Sequence, residues 1–135
     1  MPEVDAELVA TARELIEART DDEHHTTAAA ARSRGGEIVT GINVFHFTGG
    51  PCAELVVLGQ SVAQGVGELR QIVAVGDRGR GVLAPCGRCR QVLLDLQPEI
   101  EVVVSDGAAL RAVPVLKLLP FGNRWDPESG SAPHG

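Results

Sequence analysis

The sequence lacks the features that would place a protein in a membrane, outside the cell or on nucleic acid. No apolar run approaches the roughly 20 residues that a membrane-spanning helix requires. The first residues, 1–7, are acidic and have neither the basic start nor the apolar core of a secretory signal. The net charge of -6 argues against a basic surface for nucleic acid or anionic lipid. We therefore expect a cytoplasmic protein with no nucleic-acid or membrane partner.

Cysteine is also scarce, and its distribution is uneven. The chain has three cysteines, an odd number that excludes complete disulfide pairing within one chain. All three fall in two short segments, PCAEL at 51–55 and PCGRC at 85–89. Because no cysteine lies elsewhere, this clustering favours a metal site.

The remaining composition is that of one folded domain. The chain has 135 residues, of which 44% are apolar and 22% charged, and no internal repeat. We assign residues 1–125 to a single domain and predict that the polar segment 126–135 is a disordered tail.

Hydrophobic periodicity predicts the order helix, strand, strand, helix, strand, helix, strand. The helices are predicted at 3–18, 52–65 and 85–96, the strands at 25–33, 37–44, 70–76 and 100–105, and one more helical turn at 115–119. The first strand is ambiguous because four consecutive alanines favour helix, but the following Gly35-Gly36 turn favours a hairpin. The order predicts an α/β layer with both Pro-Cys helices on one face of a sheet.

The spacing of the cysteines is typical of a catalytic zinc site. Cys86 and Cys89 form a C-x2-C at a helix start, which is a common zinc half-site, and Cys52 would add a third thiolate. Three protein ligands leave the fourth tetrahedral position open. Glu54, two residues after Cys52, could reach back to water there and carry protons. The pattern C-x-E followed by P-C-x-x-C is that of the zinc deaminases.

Residues 38–96 resemble the cytidine deaminase superfamily. The strings GINVFHFTGGPCAELVVLG and GVLAPCGRCRQVLLDLQP are similar to its blasticidin S deaminases, and the resemblance continues to LLPFGNRW at 118–125. It implies a three-layer α/β/α fold with a five-stranded mixed sheet, and a homotetramer. It also implies one Zn²⁺ per chain on Cys52, Cys86 and Cys89, with Glu54 shuttling protons while a cytosine ring is deaminated and ammonia is released.

The substrate region departs from the pattern of the cytidine deaminases. Those enzymes carry Asn-x-Glu for the ribose hydroxyls, whereas this chain keeps Asn43 and has Phe45 in place of the glutamate. Since Phe45 cannot accept a hydrogen bond from a sugar, a blasticidin S-type substrate is favoured over cytidine or deoxycytidine. Thr26, in the segment 24–27, and Trp125 are the other predicted substrate contacts; the roles of His24 and His25 stay open.

The charge balance departs as well. Three thiolates on one Zn²⁺ leave about one negative charge, and the related tetrameric enzymes offset it with an arginine directly after the glutamate. Here that position is Leu55. Arg88 or Arg90 is therefore expected to compensate the thiolates, whereas Arg80 is expected to be an exposed arginine without such a role.

Two other classes of function remain open at this point. Cys86-Gly87-Arg88-Cys89 has the spacing of a thiol–disulfide oxidoreductase, although Cys52 and Glu54 have no role in that chemistry. A zinc-stabilised binding module would need a fourth protein ligand, which only His46 or another histidine could supply.

Overall fold

The computed structural model describes residues 3–19 and 22–125, so the predicted tail at 126–135 lies outside the described residues. One mixed sheet carries helices on both faces. The elements, in chain order, are α1 (Ala6–Glu17), β1 (Thr27–Ser33), β2 (Ile38–Ile42), α2 (Ala53–Gln64), β3 (Leu69–Gly76), β4 (Gly81–Val82), α3 (Gly87–Leu96), β5 (Glu101–Ser105), β6 (Leu110–Pro114) and a short 3-10 helix (Val115–Leu118). None of the described helices is long and apolar enough to span a membrane.

The sheet has six strands where the resemblance implied five. Its main path runs β2-β1-β3-β5-β6, and β4 pairs with β3 off this path. The pairing of β3 with β5 is parallel and the other pairings are antiparallel, so the sheet is mixed as predicted. The additional strand is the two-residue β4, which pairs with Val75 and Gly76 at the end of β3. A strand of two residues is too short to leave a period in the sequence.

The alanine run is a strand, as the hairpin interpretation predicted. Ala28 to Ala31 pair with β2 on one side and with β3 on the other, and all four side chains are fully buried. Alternate residues of a strand point to opposite faces, so Ala28 and Ala30 pack towards α1 and Ala29 and Ala31 towards α2. Burial between two helical layers outweighs the helix propensity of alanine here.

The three-layer α/β/α arrangement is confirmed. On one face lies α1, with Leu8, Ala12 and Ile16 buried against the sheet. On the other face lie both Pro-Cys helices, which bury Val57 of α2 and Leu93 of α3 in a second cluster. The N-termini of α2 and α3 are therefore neighbours, as the segment order predicted.

Gly41 of β2 sets how closely α2 approaches the sheet. A Cβ atom at this position would lie 2.9 Å from a side-chain carbon of Val56 and 3.1 Å from the backbone nitrogen of Val57. A larger residue would push α2 outward. The absence of a side chain at Gly41 thus helps to place the first turn of α2, where Cys52 and Glu54 lie.

Candidate metal centre and substrate cavity

Both Pro-Cys helices begin in the same way. Cys52 is the N-cap of α2, with φ -65° and ψ 157°, and Cys86 is the N-cap of α3, with φ -68° and ψ 169°. The prolines lie one residue before each cap rather than inside the first turn. Neither cysteine side chain caps its helix with a hydrogen bond, so each thiol is free to face its neighbours.

The three sulfur atoms lie close enough together to hold one ion. Cys52 Sγ is 3.7 Å from Cys86 Sγ, and the Sγ atoms of Cys52, Cys86 and Cys89 all lie within 4.8 Å of one another. A tetrahedral zinc site with Zn–S bonds of about 2.3 Å has S–S edges of about 3.8 Å. The cluster therefore fits one zinc ion. Within residues 3–19 and 22–125, no histidine, aspartate or glutamate joins it as a fourth ligand.

The electrostatics of the thiols also suit a cation. Burial works against ionisation of Cys86, but hydrogen bonds from Cys89 and Cys52 lower its pKa below the ordinary value. Burial, and then the Glu54 carboxylate, raise the pKa of Cys89. A divalent cation bound by the sulfur atoms would oppose this increase in the pKa of Cys89, because a coordinating thiol is deprotonated by the ion.

Arg88 lies beside the sulfur cluster, and Arg90 does not. Arg88 Nη2 donates to the carbonyl oxygen of Gly50 at 3.0 Å and lies 3.8 Å from Cys52 Sγ. The hydrogen bond with the Cys52 sulfur raises the pKa of the guanidinium. Arg90 instead donates to the carbonyl oxygens of Pro85 at 2.8 Å and Leu118 at 3.0 Å. It ties α3 to the 3-10 helix.

The loop that accepts the Arg88 hydrogen bond is folded too tightly for any residue but glycine at position 50. A Cβ atom on Gly50 would lie 1.8 Å from the carbonyl oxygen of Val44. The loop closes on itself through a hydrogen bond from the Val44 N–H to the Pro51 carbonyl oxygen at 3.1 Å. Gly50 thus presents its carbonyl oxygen to Arg88.

Glu54 lies in the first turn of α2 and is 6% exposed. Burial raises the pKa of its carboxyl, so this group keeps a proton at higher pH than an exposed glutamate does. Since the amino terminus of a helix favours negative charge, the position also tolerates the ionised form. The side chain is suited to accept and to return a proton.

Glu54, Cys52 and Cys86 line an inner cavity of about 160 Å³. Its walls come from both sheet and helices: Thr27, Asn43, Cys52, Ala53, Glu54, Ala74, Leu83, Ala84 and Cys86. An outer pocket of about 290 Å³ adjoins it and shares Asn43 and Cys52; its other walls include Phe45, His46 and Arg88. The inner volume is below the 300–1,000 Å³ or so of sites for drug-sized ligands, so it suits a single ring.

The predicted contact Asn43 is held by the protein itself. Its Oδ1 accepts the backbone N–H groups of Thr26 at 2.7 Å and Thr27 at 3.0 Å, and its Nδ2 donates to Thr26 Oγ1 at 3.1 Å. Its carbonyl oxygen is 2.7 Å from His25 Nδ1. Hydrogen bonds of Asn43 thus connect the end of β2 to the start of β1, and Thr26 is one of its partners there.

The remaining predicted contacts lie outside the inner cavity. Phe45 walls the outer pocket and is 63% exposed, and the backbone N–H of Phe45 donates to the His24 carbonyl oxygen at 2.7 Å. The backbone N–H of Trp125 donates to Asp95 at 2.9 Å. Asp95 follows Cys86 by nine residues on α3, which is about 13 Å along the helix. Within one chain, Trp125 is therefore remote from the sulfur cluster.

Sequence reasoning missed Thr27 and Arg80. Thr27 lines the inner cavity next to the predicted Thr26, and Arg80 is exposed as expected but donates to the Thr26 carbonyl oxygen at 2.6 Å. The signal for Arg80 is Asp77, an acidic residue directly after the strand-like run 70–76, which the structure buries. No sequence signal marks Thr27 over its neighbour.

Comparison with known proteins decides the family. The model of the cytidine and deoxycytidylate deaminase zinc-binding region matches residues 2–105. The chain belongs to this family. It is 32% identical to the blasticidin-S deaminase of Bacillus cereus over 126 residues, covering 87% of this chain and 90% of that protein. It is 45% identical to the cytidine deaminase of Mycobacterium tuberculosis over 69 residues, about half of each chain (50% and 51%).

Solved structures agree with this assignment. The crystal structure of the Mycobacterium tuberculosis cytidine deaminase superposes with a TM-score of 0.71 at 31% identity, covering 89% of this chain and 99% of that one. That of Burkholderia pseudomallei gives 0.71 at 28% identity, with 88% and 98% covered. Membership identifies the protein as a zinc-dependent deaminase that acts on a cytosine-containing substrate, with Cys52, Cys86 and Cys89 forming a cluster suited to one zinc ion.

Proposed function

We propose that this deaminase hydrolyses the exocyclic amine of the cytosine ring in a nucleoside or nucleoside-like antibiotic, and that it prefers a blasticidin S-type substrate. The observation that carries the proposal is the cavity that Glu54 shares with Cys52 and Cys86, which adjoins a pocket walled by Phe45. The small inner cavity suits the ring and the larger outer pocket suits the substituent.

Proton transfer is assigned to Glu54. When bound, zinc supplies a Lewis acid that lowers the pKa of water. The Glu54 carboxylate accepts one proton of the water that adds to ring carbon C4 and donates it to ring nitrogen N3. It then takes the second proton from the hydroxyl on C4 and passes it to the amine, so that the C4–N bond breaks, C4 becomes a carbonyl carbon and ammonia leaves. The buried carboxyl, whose pKa burial raises, suits both directions of transfer. Cys52, Cys86 and Cys89 would hold the metal, and Arg88 would offset their charge.

Two features of the outer pocket support a modified sugar over ribose. Phe45 presents an apolar ring where cytidine deaminases present a carboxylate to the ribose hydroxyls. The Asn43 amide oxygen, the other group of that motif, already accepts two backbone N–H groups. The similarity to a blasticidin-S deaminase, at 32% identity over 87% of the chain, is consistent with this choice.

A substrate panel tests the proposal. Cytidine, deoxycytidine and blasticidin S are compared by loss of the cytosine absorbance and by released ammonia. We expect kcat/KM for blasticidin S to exceed that for cytidine at least about tenfold, the difference that loss of a hydrogen bond to a charged group produces. The variant Phe45→Glu restores the carboxylate of the cytidine enzymes and should shift the ratio towards cytidine. Higher kcat/KM for cytidine in the unmodified protein would instead assign it to pyrimidine salvage.

We also propose that the protein is a cytoplasmic homotetramer, with Trp125 closing a substrate pocket. Large apolar side chains that are exposed in the single chain support assembly: Phe47, Val62, Leu116 and Phe121. Free thiols at the metal site agree with a reducing compartment. Light scattering of the zinc-loaded protein should give four copies. A monomeric mass with full activity would reject the tetramer.

A further inference from the structure

The hydrogen-bond ladder between β1 and β2 continues for one pair beyond the end of β2 and then changes. The register of the two strands, extended by one residue, places Thr27 opposite Asn43. The Asn43 N–H donates to the Thr27 carbonyl oxygen at 3.1 Å, as an antiparallel ladder requires. The return bond is replaced, because the Thr27 N–H donates to the side-chain Oδ1 of Asn43 at 3.0 Å. The Asn43 carbonyl oxygen therefore loses its backbone donor.

In a continued ladder, the next hydrogen-bonded pair would be His25 with Phe45. Instead, the Phe45 N–H donates to the His24 carbonyl oxygen at 2.7 Å, and the His25 N–H donates to the Asp22 carbonyl oxygen at 3.4 Å. The Phe45 carbonyl oxygen thus loses its backbone donor as well. The two segments part at this point, which is where Asn43 and Phe45 wall the outer pocket.

Two histidine rings supply the donors that the backbone no longer provides. His25 Nδ1 lies 2.7 Å from the Asn43 carbonyl oxygen, and His24 Nδ1 lies 2.8 Å from the Phe45 carbonyl oxygen. A carbonyl oxygen can only accept, so each Nδ1 carries the hydrogen and donates it. In the neutral rings, Nε2 is then the acceptor. The side chains of His24 and His25 thus complete the hydrogen bonding of the segment 43–45.

Phe45 depends on its backbone for its direction. Its side chain is 63% exposed, so packing against neighbours does little to orient the ring. His24 makes a hydrogen bond to each backbone group of Phe45, through its carbonyl oxygen to the N–H and through Nδ1 to the carbonyl oxygen. Neither His24 nor His25 is among the described residues that line the two cavities. Their influence on a substrate therefore passes through the segment that they hold.

We propose that His24 and His25 are positioning residues for substrate selection. Their Nδ1–H groups hold the carbonyl oxygens of the segment 43–45 and thereby fix the wall of the outer pocket, against which the substituent on the cytosine ring lies. His24 acts through Phe45, and His25 acts through Asn43. The inference rests on the proposed function, which assigns the substituent to the outer pocket, and it deepens that proposal.

Removal of each donor is the first test. His24→Leu and His25→Leu keep a branched side chain but have no N–H at the place of Nδ1. Each should raise KM for the best substrate of the panel about three- to tenfold, the range that one neutral hydrogen bond is worth, with kcat within about threefold and unchanged zinc content. His24→Asn and His25→Asn keep an N–H there and should restore most of KM. Glu14→Leu, exposed on α1 across the sheet, is the control and should not change KM.

A double-mutant cycle shows whether His24 acts through Phe45. His24→Leu should raise KM in the unmodified background and add little in the Phe45→Ala background, where no ring remains to be oriented. An equal increase in both backgrounds would overturn the coupling, and unchanged KM in both leucine variants would overturn the positioning role. Failure of the unmodified protein to deaminate any cytosine substrate would reject the proposed function instead.

The tautomers of the histidine rings give a readout that does not depend on activity. Nitrogen-15 spectra of the zinc-loaded, unmodified protein at alkaline pH should show the hydrogen of His24 and of His25 on Nδ1, with signals assigned by their loss in the single variants. His46 is the internal reference, because its Nδ1 accepts the Thr48 N–H at 3.2 Å and its hydrogen belongs on Nε2. Hydrogens on Nε2 of His24 and His25 would overturn the proposal even if the variants fail to fold.

Discussion

The starts of α2 and α3 use one backbone design for two chemical tasks. Each follows a Pro-Cys pair and has an extended cysteine cap. The first turn of α2 then buries an acid, Glu54, whereas that of α3 exposes a base, Arg88, and buries a second thiol, Cys89. The proposed proton carrier is thus enclosed in the cavity, while the proposed charge compensation lies at the solvent side of the cluster. Two helices with the same cap geometry can therefore have different roles, because the residues after the cap determine which groups each helix places around the ion.

The largest effect is expected from removal of Cys89, a buried thiol in the first turn of α3 that has no counterpart in α2. Cys89→Ser leaves two thiolates for the ion, so zinc content should fall from one per chain to a trace and deamination should become undetectable. Metal analysis of the purified variant, with the unmodified protein stripped by a chelator as reference, measures this. A fully loaded and active variant would remove Cys89 from the ligand set.

A smaller loss of activity is expected from replacement of Glu54, the acidic residue in the first turn of α2. Glu54→Gln should keep zinc and its fold but lose turnover by about 10²- to 10⁴-fold, since an amide cannot carry the proton. The variant and the unmodified protein are compared by their turnover rates, each divided by the measured zinc content. Glu17→Gln, an exposed change on α1, is the control and should behave as the unmodified protein. Near-normal turnover in zinc-loaded Glu54→Gln would contradict the assigned mechanism.

The smallest effect is expected from replacement of Arg88, the exposed arginine in the first turn of α3. Arg88→Ala should weaken zinc binding about 10- to 100-fold, the usual range for groups that contact metal ligands. Competition with a chelator measures this affinity. Arg90→Ala should leave it near normal, because Arg90 donates to backbone carbonyl oxygens.

Arg13→Ala supplies a second control for the same experiment. Arg13 is exposed on α1, across the sheet from the metal site. An equal loss of affinity in Arg13→Ala and Arg88→Ala would show that net charge matters and that the contact with Cys52 does not.

Spacing along the chain predicted the metal site better than it predicted the sheet. C-x-E and C-x2-C are short-range patterns, because helix geometry alone brings their residues to one end. The strand β6 left no comparable signal: LRAVP at 110–114 is short and ends in proline. Its partner β5 supplies the pairing. Whether such a short segment forms a strand depends on pairing with a neighbouring strand more than on its own residues.

The sequence by itself determined which residues could carry the chemistry: three thiols, one glutamate and an arginine nearby. Only the tertiary structure decided between adjacent candidates. Arg88 and Arg90, two positions apart on a helix, face different sides, and Gly50, 38 residues away, supplies the acceptor that selects Arg88. Thr27 rather than Thr26 lines the cavity, because successive residues of a strand alternate in direction and only the pairing of β1 with β2 and β3 sets that direction.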